Sequence, residues 1–166
     1  MPPSILIVDD HEIVREGIRN LLARSGKNWQ VSGEASNASE ALLAVKSIHP
    51  DLVILDITMP GISGLEAARL IDKLHVPIRI LIFTMHESST LEAEVRDVGA
   101  HGYVSKSQAS RDLVLAIQTL LSGGTFFGSP STSSAPPNQN PDNGINGAAF
   151  SKGYWLPILL RPLTVF

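Results

Sequence analysis

Four short apolar runs in this chain end on residues able to do chemistry. Ser4-Ile5-Leu6-Ile7-Val8 leads into Asp9 and Asp10, and Leu52-Val53-Ile54-Leu55 leads into Asp56. Ile78-Arg79-Ile80-Leu81-Ile82-Phe83 leads into Thr84, and Gly102-Tyr103-Val104-Ser105 into Lys106. A carboxylate at such a point is a ligand, a nucleophile or a helix cap, and one alone says no more than a turn residue does. If the runs are neighbouring parallel strands, three carboxylates, a hydroxyl and an ammonium meet on one rim. That rim, at the carboxyl ends of the strands, is where open α/β sheets hold their ligands.

Helical patterns separate the runs. Ile13, Val14, Ile18, Leu21 and Leu22 share one face of a first helix, with Gly26 as its stop. Residues 29–35 alternate loosely and read as an edge strand. Asn37 with Glu40 resembles a capping box, ahead of a stripe of Ala38, Ala41, Leu42, Val45 and Ile48 that His49-Pro50 ends. Ser63 with Glu66, and Ser89 with Glu92, repeat the box signature. Leu65, Ala68, Ile71 and Leu74 follow the first of these, and Leu91, Val95 and Val98 follow the second, before Gly99. Leu113, Ala116, Ile117 and Leu120 form a last helix closed by Gly123-Gly124. Five strands alternating with five helices predict parallel βαβ units in a doubly wound α/β sheet.

The 166 residues suffice for one domain with a sizeable core. A net charge of −3 offers no basic field for nucleic acid, and the absence of cysteine excludes disulfides, thiolate metal sites and a cysteine nucleophile. No signal peptide or membrane-spanning run is visible, so a cytoplasmic protein is expected. Composition divides the chain into a folded domain over 1–128, a polar Pro/Ser/Asn-rich linker over 129–147 and an apolar tail over 148–166. The tail carries Trp155, Leu156, Ile158, Leu159 and Leu160, which favour self-association if exposed. His11, His49, His75, His86 and His101 show no metal-ligand spacing and read as surface or structural residues, two of them close to the rim residues.

Val8-Asp9-Asp10-His11, Leu55-Asp56-Ile57-Thr58-Met59-Pro60-Gly61, Thr84 and Gly102-Tyr103-Val104-Ser105-Lys106 resemble the receiver domain of two-component response regulators. The resemblance covers residues 4 to about 124, and the Tyr-Val-Ser-Lys form of the last motif is most similar to the NarL/FixJ subgroup. It implies a five-stranded flavodoxin-like sheet in the order 2-1-3-4-5. It also implies Asp56 as phosphoacceptor, Lys106 and Thr84 as partners of the phosphoryl oxygens, and Thr84 with Tyr103 as the switch pair. Mg²⁺ would be held by Asp10, Asp56 and the backbone carbonyl of Thr58, with Asp9 acting largely through water. Thr58 and His86 stand where such domains tune phosphoryl lifetime. Ser107 departs from the pattern, because many receivers place a cis-proline after the lysine.

Elementary chemistry points the same way. Phosphoryl transfer needs charge neutralisation more than covalent machinery, and three clustered carboxylates are tolerable around a hard divalent cation such as Mg²⁺. The implied partners are a sensor histidine kinase, a second copy in a homodimer, and DNA only through an output domain that this stretch lacks. The Leu163-Thr164 pair stands where a LuxR-type output domain opens, so a fragment or truncated regulator is expected. A stand-alone receiver acting by protein contact is the alternative. A phosphohydrolase of the haloacid dehalogenase type is disfavoured, because Asp9-Asp10-His11 lacks that family's Asp-x-Asp pattern.

Overall fold

A computed structural model describes residues 1–127; the expected linker over 129–147 and apolar tail over 148–166 lie outside the described residues. Strands β1 (Ser4–Val8), β2 (Gln30–Ala35), β3 (Leu52–Leu55), β4 (Arg79–Thr84), β5 (Gly102–Ser105) and β6 (Phe126–Phe127) form one sheet in the order 2-1-3-4-5-6. Every pairing is parallel. The five expected strands are present in the expected order, with β2 at the edge. The sixth was not anticipated: two residues give too short a run for alternation to register, and β6 exists because it pairs with the otherwise open flank of β5.

Helices α1 (Glu12–Arg24), α2 (Ala38–Ile48), α3 (Gly64–Asp72), α4 (Leu91–Asp97) and α5 (Ala109–Leu121) cover both faces. Successive strand residues point to opposite sides. Leu6 and Val8 pack with Ala41, Val45, Ala68, Ile71 and Val95 on the α2–α3–α4 face. Ile5 and Ile7 pack with Ile18, Leu22, Leu113 and Ile117 on the α1–α5 face. β3 is buried on both faces over all four residues, which is why it reads as an unbroken apolar run.

Local signals behave as physical chemistry dictates, with two corrections. The Glu40 N–H donates to Asn37 Oδ1 at 2.9 Å, and Glu40 Oε2 accepts from the Ser36 N–H at 2.8 Å, so the box closes on the residue before the cap. Ser63 caps α3 by accepting from the Glu66 N–H at 3.3 Å. Gly26 and Gly99 end α1 and α4 with φ of 68° and 78°, left-handed values suited to glycine. The Ser89–Glu92 box does not form. α4 begins at Leu91, and Thr90 donates instead to Glu94 Oε1 at 2.5 Å. Ile13 does not join the buried face of α1; it is 74% exposed, because it stands roughly 140° and 180° round the helix from the buried Ile18 and Leu22.

Candidate phosphoacceptor site

The backbone ladder extends one residue past two strands and so sets the rim. The Asp9 N–H donates to the Ala35 carbonyl at 3.1 Å, and the Asp56 N–H to the Val8 carbonyl at 3.0 Å. Both carboxylates are thereby held at the sheet end with little water around them: Asp9 is 1% exposed and Asp56 is 3%. Lys106, directly after β5, brings its ammonium between them, 2.6 Å from Asp9 Oδ2 and 3.2 Å from Asp56 Oδ1. The peptide that follows, into Ser107, is trans.

Burial pushes the Asp56 carboxyl above its ordinary range. The Lys106 ammonium opposes this, the Asp9 carboxylate adds to it, and hydrogen bonds from Lys106 and the Thr58 backbone also oppose it. Asp56 is therefore a carboxylate short of solvent with one cation shared against a neighbour. Such a group gains most from additional positive charge.

Asp10 shows where that charge fits. Its Oδ1 is buried and accepts no hydrogen bond, although His11 Nδ1 lies 3.0 Å away. Donor atoms of Asp9, Asp10 and His11 all lie within 4.8 Å of one another. A buried carboxylate oxygen without a hydrogen bond, beside a second carboxylate and an imidazole, suits a hard divalent cation. His11 is exposed, as the sequence leads one to expect, and its ring also touches both acids; its backbone N–H donates to Asp9 Oδ1 at 2.8 Å. The adjacency in Asp9-Asp10-His11 was the available signal. Arg15 adds a further restraint, donating to the Asp9 carbonyl at 2.7 Å.

Thr84 is fully buried at the end of β4, and its hydroxyl accepts the His86 N–H at 3.0 Å. Tyr103 is half-buried and stands one strand away, its ring packed edge-on against Phe127 with centroids 6.4 Å apart. The Arg96 guanidinium lies 3.5 Å from the centre of the Phe127 ring. Sequence reasoning missed Phe127 and Arg96 because β6 was not foreseen. Beside Lys106 opens an apolar groove of about 570 Å³ between α1 and α5, lined by Val14, Ile18, Leu21, Phe83 and Met85.

The response regulator receiver domain family model matches residues 5–118. The response regulator UvrY of Escherichia coli (strain K12) is 40% identical over 126 residues, covering 76% of this chain and 57% of that protein. GacA of Pseudomonas syringae pv. syringae (strain B728a) is 36% identical over 124 residues, covering 75% and 58%. The chain thus spans little more than half the length of these curated relatives. Among solved structures, a LuxR-family two-component response regulator from Aurantimonas sp. SI85-9A1 superposes with a TM-score of 0.71 at 41% identity, over 76% of this chain and 89% of that one. The isolated REC domain of RcsB from Salmonella enterica serovar Typhimurium, in the presence of the phosphomimetic BeF3−, gives 0.71 at 27% identity, over 77% and 94%.

Proposed function

This chain belongs to the response regulator receiver domain family, and from that premise we propose that Asp56 accepts a phosphoryl group from the phosphohistidine of a sensor histidine kinase. The observation that carries the reading is the single Lys106 ammonium shared between the buried carboxylates of Asp9 and Asp56. An Asp56 oxygen attacks phosphorus, the Asp56 O–P bond forms, and the P–N bond to the kinase histidine breaks. The histidine nitrogen keeps the electron pair. Lys106, drawn from Asp9, then pairs with a phosphoryl oxygen, and the Thr84 hydroxyl donates to another.

Receiver domains bind Mg²⁺ at an acidic pocket, and the cluster at Asp9, Asp10 and His11 is such a pocket. Asp10, Asp56 and the Thr58 backbone carbonyl would hold the ion directly, with Asp9 through water; when bound it neutralises charge on the phosphoryl oxygens. Accepting the His86 N–H leaves the Thr84 O–H proton free, and the hydroxyl swings toward the phosphoryl group to donate it. That movement clears the space into which Tyr103 turns, and passes the change to α4, β5 and α5.

Phosphoryl uptake and self-dephosphorylation at Asp56 are the whole of the proposed chemistry. The apolar groove beside Lys106 suits an amphipathic kinase helix delivering its histidine to Asp56. Transcription control, DNA contact through an output domain, homodimerisation and a cytoplasmic location are proposed from the likeness to the longer regulators. No helix among the described residues is long and apolar enough to cross a membrane. With Mg²⁺ and acetyl phosphate the protein should gain one phosphoryl group and Asp56→Asn none. Equal labelling of the two overturns the assignment.

A further inference from the structure

We propose that Glu87 is a positioning residue for Lys106, acting through the serines on either side of it, and that it sets the rate of phosphoryl uptake; this rests on Asp56 being the phosphoacceptor. Glu87 lies in the loop between β4 and α4. Its Oε1 accepts from the Ser105 hydroxyl at 2.6 Å and from the Ser107 hydroxyl at 3.4 Å. The two hydroxyls are themselves 2.8 Å apart. Ser105 and Ser107 therefore share one side of the chain, while Lys106 between them reaches the other side, to Asp9 and Asp56.

Lys106 starts a short 3-10 turn, Lys106–Gln108, directly after β5. At this junction the backbone changes from extended to helical, and the direction of the Lys106 side chain depends on the dihedrals of that one step. One carboxylate holding both neighbouring hydroxyls restricts them. The anchor comes from the loop that directly follows Thr84, the last residue of β4, which pairs with Ser105 across the β4–β5 ladder. The two groups assigned to the phosphoryl oxygens are thus spaced by one small polar triangle. Ser107 is essential to it, since a proline there would bring no hydroxyl.

Glu87 and Ser107 are exposed and Ser105 is half-buried, so their hydrogen bonds add little to stability. Their effect falls on placement, where an error of about 1 Å costs up to about a hundredfold in rate. Glu87→Ala should lower the initial rate of acetyl phosphate labelling by roughly threefold to tenfold, and Glu87→Gln, whose amide oxygen still accepts, should restore most of it. Ser107→Ala should fall between them, because Ser105 keeps its contact. All three should melt within about 2 °C of the parent. Wild-type labelling rates in Glu87→Ala, or Glu87→Gln as slow as Glu87→Ala, overturn the proposal. A second readout is independent of phosphorylation: in the unmodified protein, the amides of 106–108 should exchange faster in Glu87→Ala than in the parent. Unchanged exchange overturns the positioning role even if labelling slows. A parent protein that takes no label refutes the Asp56 assignment instead, and the exchange comparison still decides whether Glu87 orders the turn.

Discussion

The backbone of Gly64 abuts that of Asp56: a β-carbon built on Gly64 would lie 1.8 Å from the Asp56 carbonyl oxygen and 2.8 Å from the Ile57 α-carbon. The Gly64 N–H donates to the Ile57 carbonyl at 2.8 Å, so the first turn of α3 is docked directly on the segment that carries the phosphoacceptor. Gly64→Ala should cost about 2 kcal/mol or more, since both colliding atoms are backbone and cannot swing aside. Urea unfolding of the metal-free protein measures it. A loss under about 0.5 kcal/mol would mean that α3 can slide, and that its contact with Asp56 is not rigid.

Asp56 makes stability depend on pH in the direction opposite to most carboxylates. Its folded-state pKa is raised above the ordinary 3.8, by burial first, so between those two values the folded state holds more proton than the unfolded one. Stability therefore falls as pH rises through that window, and the full penalty persists at neutral pH. Asp56→Asn removes the penalty. In metal-free buffer at pH 7.5 the variant should melt higher, by roughly 3–6 °C for a gain on the order of 1 kcal/mol. A lower melting temperature would show that the pairing with Lys106 outweighs desolvation.

Lys106→Ala tests the same balance from the other side. Removing the ammonium leaves Asp9 and Asp56 as buried carboxylates without their shared cation. Breaking such a buried pair costs about 3–5 kcal/mol. The metal-free variant should therefore be strongly destabilised, and millimolar Mg²⁺ should restore more stability to it than it adds to the parent. Asp10→Asn should reduce that restoration. Equal Mg²⁺ stabilisation of Lys106→Ala and Lys106→Ala/Asp10→Asn would exclude Asp10 as a ligand.

His101 gives an independent pH signature far from the rim. Its Nδ1 accepts the Ile80 N–H at 3.1 Å, which requires an unprotonated nitrogen. Burial lowers its pKa below the ordinary 6.5, the Arg79 charge adds to this, and Asp72 opposes it. As pH falls below 6.5 the unfolded chain takes up the proton first, so this contribution is complete above that pH and is lost as pH drops toward the folded-state value. Melting curves from pH 7.5 to 5 should show the decline, with a smaller slope in His101→Gln. An identical slope in the variant would assign the decline to other groups.

The rim residues were legible because each ends a strand whose apolar run marks it, so Asp9, Asp56, Thr84 and Lys106 could be aligned before any coordinates. What stayed hidden depends on three-dimensional neighbours. Ile13 sits next to Val14 in sequence but stands roughly 140° round the helix from Ile18 and roughly 180° from Leu22, so its side chain faces solvent. Ser89 carries a cap signature, but the loop spends one more residue before turning, and Thr90 takes the position. The Glu87–Ser105–Ser107 triangle joins residues 18 and 20 positions apart, and no periodicity encodes such a contact. Phe126-Phe127 becomes a strand only because β5 offers a free edge.

The parallel sense of β6 fixes which end of the sheet Phe127 faces. A strand antiparallel to β5 would deliver the chain to the far end of the sheet. Running parallel to β5 instead, β6 points toward the end of the sheet that holds Asp56. Three strand spacings separate β3 from β6, roughly 14 Å across the sheet. Phe127 therefore stands at the same level of the sheet as Leu55, the residue before the phosphoacceptor, and it is Phe127 that receives the Tyr103 ring and the Arg96 guanidinium.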